Sequence, residues 1–251
     1  MNYKVEGNGN PIVFIHGLSD NLNYWESLTS SLKNDYKVIR YDLRGHGESE
    51  LGNDELSIDL FTNDLHNLLD TLDVDKVNLV GFSLGGEIAL DFAVKYPSRV
   101  SSLVLMSTAS YTSFYAKNVL NEFYISLDKS FEDFYDYILP RILCPKVIDE
   151  NKDELEFLKV AASQSADTEA YKKSIRAICD FDVRASLDEL DFPVLVLAGK
   201  YDEVTPLEYQ LELSNQIKNS ELIVFDNVKH NLLVGENVLK ITEILKDFIK
   251  K

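Results

Sequence analysis

The chain has only two cysteines, Cys144 and Cys179, among 251 residues. Two cannot build a disulfide framework, so both read as reduced thiols. Positive charge is scarce as well: 25 Lys and Arg stand against 42 Asp and Glu, a formal charge of −17. That surface repels a phosphate backbone, so no nucleic-acid partner is expected. No apolar run approaches the roughly 20 residues of a membrane span. The opening MNYKVEGNGN lacks the apolar core of a secretory leader. The expected location is therefore the cytoplasm, with no membrane span. Also missing are a Walker glycine loop, a dinucleotide fingerprint and a His/Cys metal cluster. No cofactor and no metal are expected. There is no internal repeat, and no heptad pattern from which to read an oligomeric state.

What is present is ordinary globular material, 45% hydrophobic and 27% charged. The length fits one large domain or two small ones at about 150 residues each, and it can bury a core without staples. The first half alternates short β-branched runs with longer amphipathic ones. Pro11–His16, Tyr36–Tyr41, Lys76–Phe82 and Val100–Met106 read as strands. Asn21–Leu32, with Leu22, Trp25, Leu28 and Leu32 at helical spacing, reads as a helix, and so does the segment from Ser57 to Leu72. A third helix runs from Ser83 to about Tyr96, where Pro97 stops it.

From about Ser110 to Leu187 the alternation ends. This stretch carries Tyr111, Phe114, Tyr115, Phe123, Tyr124, Phe131, Phe134, Tyr135 and Tyr137, and charge on helical faces. It reads as an inserted set of helices. The strand rhythm resumes at Phe192–Gly199 and Glu221–Asp226, with helices at Pro206 to about Lys218 and Val238–Lys250. Strands separated by helices of 10–15 residues make an α/β fold, a mostly parallel doubly wound sheet covered on both faces. Ligands of such sheets bind beyond the carboxyl ends of the strands.

One strand-end loop carries chemistry by itself. Val77–Val80 leads into Gly81-Phe82-Ser83-Leu84-Gly85-Gly86 and then a helical pattern. This is G-x-S-x-G in its required setting of strand, sharp turn and helix. Gly81 and Gly85 remove Cβ collisions at the turn and let Ser83 project its hydroxyl above the sheet. The following helix points its N-terminus at the same place, which favours developing negative charge. A serine hydroxyl is a weak nucleophile and needs a base in hydrogen-bond reach. The chain offers four histidines, His16, His46, His66 and His230. His66 falls opposite the apolar face of its helix and reads as solvated. His46, in a glycine turn, reads first as loop packing, with lining of a site as the alternative.

With these motifs in hand the chain resembles the α/β-hydrolase family over essentially its whole length. His16-Gly17-Leu18 looks like the family's oxyanion loop, where His16 anchors the loop rather than moving protons. Tyr41-Asp42-Leu43-Arg44-Gly45-His46-Gly47-Glu48-Ser49 resembles its D-x-R-G-x-G-x-S loop. The resemblance implies a catalytic triad of Ser83, Asp202 and His230. Asp202 lies in Gly199-Lys200-Tyr201-Asp202-Glu203-Val204-Thr205-Pro206, which is similar to the family's acid loop, and His230 follows the last strand. Glu203 is expected to point elsewhere. Some members take their acid after the preceding strand, but Met106-Ser107-Thr108-Ala109-Ser110 contains no carboxylate. By position the oxyanion hole falls to the backbone N–H groups of Leu18 and Leu84. Ser83 speaks against the haloalkane dehalogenase and epoxide hydrolase branches, which attack with aspartate at the elbow.

The resemblance also implies that residues 110–187 form a helical lid on a core of residues 1–109 and 188–251. The expected activity is a serine hydrolase of the carboxylesterase kind, taking a small neutral or apolar acyl-ester substrate through an acyl-enzyme on Ser83. Lactonase, thioesterase, C–C bond hydrolase and perhydrolase activities use the same constellation. A small-ligand sensor on the same fold, with slow hydrolysis, is the alternative from another class. Trp25 is expected to pack in the core.

Overall fold

The computed structural model describes residues 1–250. Among the described residues seven strands and ten helices follow one another. They are β1 (Tyr3–Glu6), β2 (Pro11–Ile15), α1 (Glu26–Thr29), β3 (Lys37–Tyr41), α2 (Ile58–Thr71), β4 (Val77–Phe82), α3 (Leu84–Lys95) and β5 (Val100–Met106). Next come α4 (Phe114–Lys129), α5 (Phe131–Ile142), α6 (Pro145–Glu150), α7 (Lys152–Ser163) and α8 (Thr168–Ile178). The chain closes with β6 (Val194–Gly199), α9 (Leu207–Gln216), β7 (Ser220–Phe225) and α10 (Asn237–Ile249). The strands form one sheet in the order β1-β3-β2-β4-β5-β6-β7. All neighbours are parallel except β1, which runs antiparallel to β3. The expected mostly parallel α/β sheet is the sheet observed.

Successive side chains of a strand point to opposite faces, and the core divides accordingly. Ile12 and Phe14 of β2, with Val80 and Phe82 of β4, face Trp25, Leu28, Ile241 and Leu245. Val13 and Ile15, with Leu79, face Phe61, Leu65, Ile88 and Phe92. Both faces of β4 are covered, so every residue from Val77 to Phe82 is buried. Trp25 is fully buried, its ring 5.2 Å from that of Phe14. The helix predicted from Ser57 starts with the Ser57 side chain accepting from the Leu60 N–H, a hydrogen-bonded cap.

Two local readings need correction. β1 went unread: Tyr3-Lys4-Val5-Glu6 alternates, but it is only four residues long and forms a mostly exposed edge strand. The predicted helix over 21–32 is broken into a 3-10 turn at Leu22–Trp25, the single turn α1, and a second 3-10 turn at Leu32–Asn34. Its apolar spacing is real, since Leu22, Trp25, Leu28 and Leu32 are all buried. Side chains fix the start of the first turn. The Leu22 N–H donates to Asp42 Oδ1 at 2.7 Å, and the Asn21 side chain accepts from the Asn23 N–H at 2.9 Å.

Between β5 and β6 the chain leaves the sheet and returns as α4 to α8. Ser113, Ser130 and Asp167 cap α4, α5 and α8 by accepting from the N–H three residues on. Phe123 and Phe134 meet edge-on with ring centres 5.7 Å apart, joining α4 to α5. The Tyr135 hydroxyl donates to the Leu155 carbonyl, joining α5 to α7. Pro140 lies inside α5, and its carbonyl accepts from Lys229. The Asn231 N–H donates to the Ile142 carbonyl, and the Tyr115 hydroxyl to that of Glu203. The helices are thus fastened to the loops on either side of Asp202 and His230. Among the described residues no helix is long and apolar enough to cross a membrane.

Candidate active site

The turn after β4 holds Ser83 at φ 51° and ψ −118°. A side chain at positive φ is strained by roughly 1–3 kcal/mol, and only over-determined surroundings hold it there. Here the Ser83 N–H donates to the Met106 carbonyl. Its own carbonyl accepts from Gly86, from Glu87 and from the Thr108 hydroxyl. The glycines are required by close approach. A Cβ at Gly81 would fall on the Gly85 carbonyl, and one at Gly85 on the carbonyls of Ile15 and His16. The absence of those methyls seats α3 directly on the end of β2, beside His16-Gly17-Leu18.

That neighbouring loop is anchored by His16, which is fully buried. Its Nε2 accepts from the Leu43 N–H at 3.0 Å, so its Nδ1 carries the proton and donates to the Gly17 carbonyl at 2.8 Å. Burial, helped by nearby His46, holds the ring's pKa down at about 3, so it stays neutral. Leu18 and Leu84 line the same cavity as Ser83.

His230 comes from the loop after β7, and 4% of it is exposed. Its Nδ1 donates to Asp202, at 2.8 Å from Oδ2 and 3.0 Å from Oδ1. The carboxylate is well satisfied. Oδ1 accepts from the N–H groups of Val204 and Thr205, and Oδ2 from the Thr205 hydroxyl. The Ser107 hydroxyl donates to the His230 carbonyl, and the Phe82 ring lies 5.1 Å from the imidazole. With Nδ1 committed to Asp202, Nε2 is left as the acceptor. Ser83 and His230 both line one cavity of about 500 Å³, which extends from the strand ends into the space between α4, α5 and α7. Asp202 stands behind His230.

The remaining candidates separate clearly. His46 is buried against His16 and Tyr171, and burial lowers its pKa to about 4; it packs the loop and is not among the cavity residues. His66 differs from its expected solvated setting: it is half-buried, stacked 4.5 Å from Tyr96 and 3.4 Å from Asp70. Glu203 turns away to pair with Lys229. Of the nine aromatics singled out between Tyr111 and Tyr137, Tyr111, Phe123, Phe131, Phe134 and Tyr135 line the cavity. Phe114 is exposed, Tyr124 stacks with Arg176, and Tyr137 with Arg141.

Two cavity residues went unread in the sequence, Asp20 and Glu87. Asp20 lies two residues beyond Leu18. Burial raises its carboxyl to about 7, against a smaller opposing pull from His230. The folded chain therefore keeps a proton that the unfolded chain releases near pH 4. The stability this contributes is present at low pH and is lost as pH rises through about 7. An Asp20→Asn chain should gain in melting temperature over the natural chain above pH 7, by a margin that shrinks toward pH 4–5. A margin constant across that range in a thermal melt would contradict this. Among the described residues no group of three or more His, Cys, Asp or Glu is arranged to hold a metal.

A family model described as "alpha/beta hydrolase fold" matches residues 10–144, more than half of the chain. The chain belongs to the α/β-hydrolase family. A second model, described as "TAP-like protein", matches residues 180–248 of this α/β hydrolase. A non-heme chloroperoxidase of Kitasatospora aureofaciens is 30% identical over 269 residues, covering 99% of this chain and 95% of the relative. The 3-oxoadipate enol-lactonase 2 of Acinetobacter baylyi is 27% identical, over 90% of this chain and 85% of the relative. An uncharacterized protein of Mycobacterium tuberculosis is 36% identical over 110 residues, and the match spans about a third of that relative's length (32%). Among solved structures, the enol-lactonase from Burkholderia xenovorans superposes with a TM-score of 0.92 at 24% identity, covering 100% of this chain and 96% of that one.

Proposed function

We propose that this α/β hydrolase cleaves small carboxylic esters through an acyl-enzyme on Ser83. The observation that carries the reading is the pairing of His230 Nδ1 with the buried Asp202 carboxylate, while His230 and Ser83 share one cavity wall. Ser83 Oγ attacks the ester carbonyl carbon and His230 Nε2 takes its proton. The N–H groups of Leu18 and Leu84 hold the oxyanion, and the tetrahedral intermediate collapses as the imidazolium returns the proton to the departing alcohol. Water then attacks the acyl-enzyme with His230 again as base, releasing the acid and restoring Ser83. Asp202 keeps the imidazole in the productive tautomer and stabilises its charged form.

In this reading residues 110–187 act as a lid that shapes the acyl pocket, and residues 1–109 and 188–251 form the core. The pocket walls contributed by Phe123, Phe134, Ile138 and Leu139 suit an apolar or neutral acyl group. The −17 charge of the chain makes a large anionic ligand the least suitable. Lactones, which are cyclic esters, are a second substrate class; the relative named as an enol-lactonase supports it.

A panel of acyl esters, thioesters and lactones of graded chain length tests the proposal. A short-chain ester or a lactone should turn over with kcat of about 1 s⁻¹ or more, the ordinary range for enzymes. Turnover no faster than that of the Ser83→Ala chain across the whole panel would contradict it.

A further inference from the structure

Glu87 lies four residues after Ser83, one turn along α3. It is 7% exposed, it lines the cavity, and its Oε2 has no hydrogen-bond partner. The other acidic residue of this helix, Asp91, is accounted for. It accepts from the Thr62 hydroxyl at 2.6 Å and from Lys95 at 2.7 Å. Nothing in the fold uses Glu87 in that way. A buried polar atom without a partner is costly, and native chains seldom keep one without a use.

Its surroundings say what kind of partner it would take. Leu84, Leu120, Phe123 and Ile178 line the same cavity. The Thr112 hydroxyl, also on the wall, is already spent on the Ile178 carbonyl at 2.6 Å. Burial raises the Glu87 carboxyl well above its ordinary range, which favours the protonated form, an O–H donor beside a carbonyl acceptor. A cationic group would need it ionised, which the apolar walls oppose.

We propose that the cavity binds an acyl group bearing an uncharged oxygen function, a ketone or hydroxyl, which hydrogen-bonds to Glu87, and that Glu87 selects such acyl groups over plain alkyl ones. The inference rests on the ester-hydrolase reading and sharpens its substrate class. One helical turn is about 5.4 Å, the reach of about four carbon–carbon bonds. The fourth and fifth carbons of an acyl group attached at Ser83 sample that span, so the test places the oxygen there.

Initial rates of acid release from methyl hexanoate, methyl 4-oxohexanoate and methyl 5-oxohexanoate test it. The better oxo ester should exceed hexanoate in kcat/KM by about tenfold, the size of one well-made buried hydrogen bond. The advantage should lie in KM, survive in Glu87→Gln, which keeps a donor, and fall to near parity in Glu87→Leu. A natural chain that prefers hexanoate to both oxo esters overturns the proposal without any variant. An unchanged ratio in a folded Glu87→Leu chain overturns it as well. Turnover of hexanoate without an oxo preference defeats this inference alone. No turnover of these esters or of p-nitrophenyl butyrate, with no labelling of Ser83 by a fluorophosphonate, defeats the hydrolase reading and this inference together.

Discussion

Ser83→Ala should abolish ester turnover, by on the order of 10⁴-fold or more, in a chain that still folds. The size follows from the role: without Oγ there is no acyl-enzyme, and what remains is binding and the oxyanion donors. The fold should survive because Ser83 holds the turn through its backbone. Its N–H bonds Met106 and its carbonyl bonds Gly86, Glu87 and Thr108, whichever side chain is present. Alanine also bears the positive φ no worse than serine does. Initial rates and a thermal melt on the same sample check both halves. More than a few per cent of residual activity would sink Ser83 as the nucleophile.

Gly85→Ala has the largest expected structural effect. In an ordinary helix the change to alanine stabilises by about 0.5–1 kcal/mol. Here the new methyl would fall on the Ile15 carbonyl and lie 2.6 Å from the His16 carbonyl. Both are main-chain atoms, and Ile15 belongs to β2, which is held by β3 on one side and β4 on the other. The clash therefore outweighs propensity. Overpacking of this kind costs about 3 kcal/mol at the upper end of its usual range, which lowers the melting temperature by roughly 6–12 °C for a chain of this size. Relief requires α3 to move away from His16-Gly17-Leu18, which pulls Leu84 N–H and Leu18 N–H apart. A misplacement of about 1 Å can cost on the order of 100-fold in rate. Gly85→Ala should thus lose both stability and kcat. A melting temperature within a degree of the natural chain, with full turnover, would contradict the close-packed elbow.

The parts legible in the sequence are those that local rules control. The G-x-S-x-G turn is read from steric demands inside six residues. The strands β2 to β7 are read from continuous or alternating apolar runs. Asp202 and His230 came from the resemblance of their loops to those of the family, and in the structure they lie 2.8 Å apart. What escaped depends on contacts distant in sequence. The start of the first turn in 21–32 is held by Asp42, 20 residues past Leu22. The buried state of Glu87 depends on helices α4 and α8, which follow it in the chain and cover it. The half-burial of His66 depends on Tyr96, 4.5 Å away just past the end of α3. A polar residue gives no sign in the sequence of whether another segment will enclose it, so nothing there marked Asp20 or Glu87.

The central claim is that Ser83 is a nucleophile activated by His230, and covalent labelling reads this directly. A fluorophosphonate probe followed by peptide mass spectrometry should place one adduct on Ser83 in the natural chain. Ser83→Ala should take up none, and His230→Ala should label far more slowly. Modification at a residue other than Ser83, or equal labelling rates in the natural and His230→Ala chains, would contradict it.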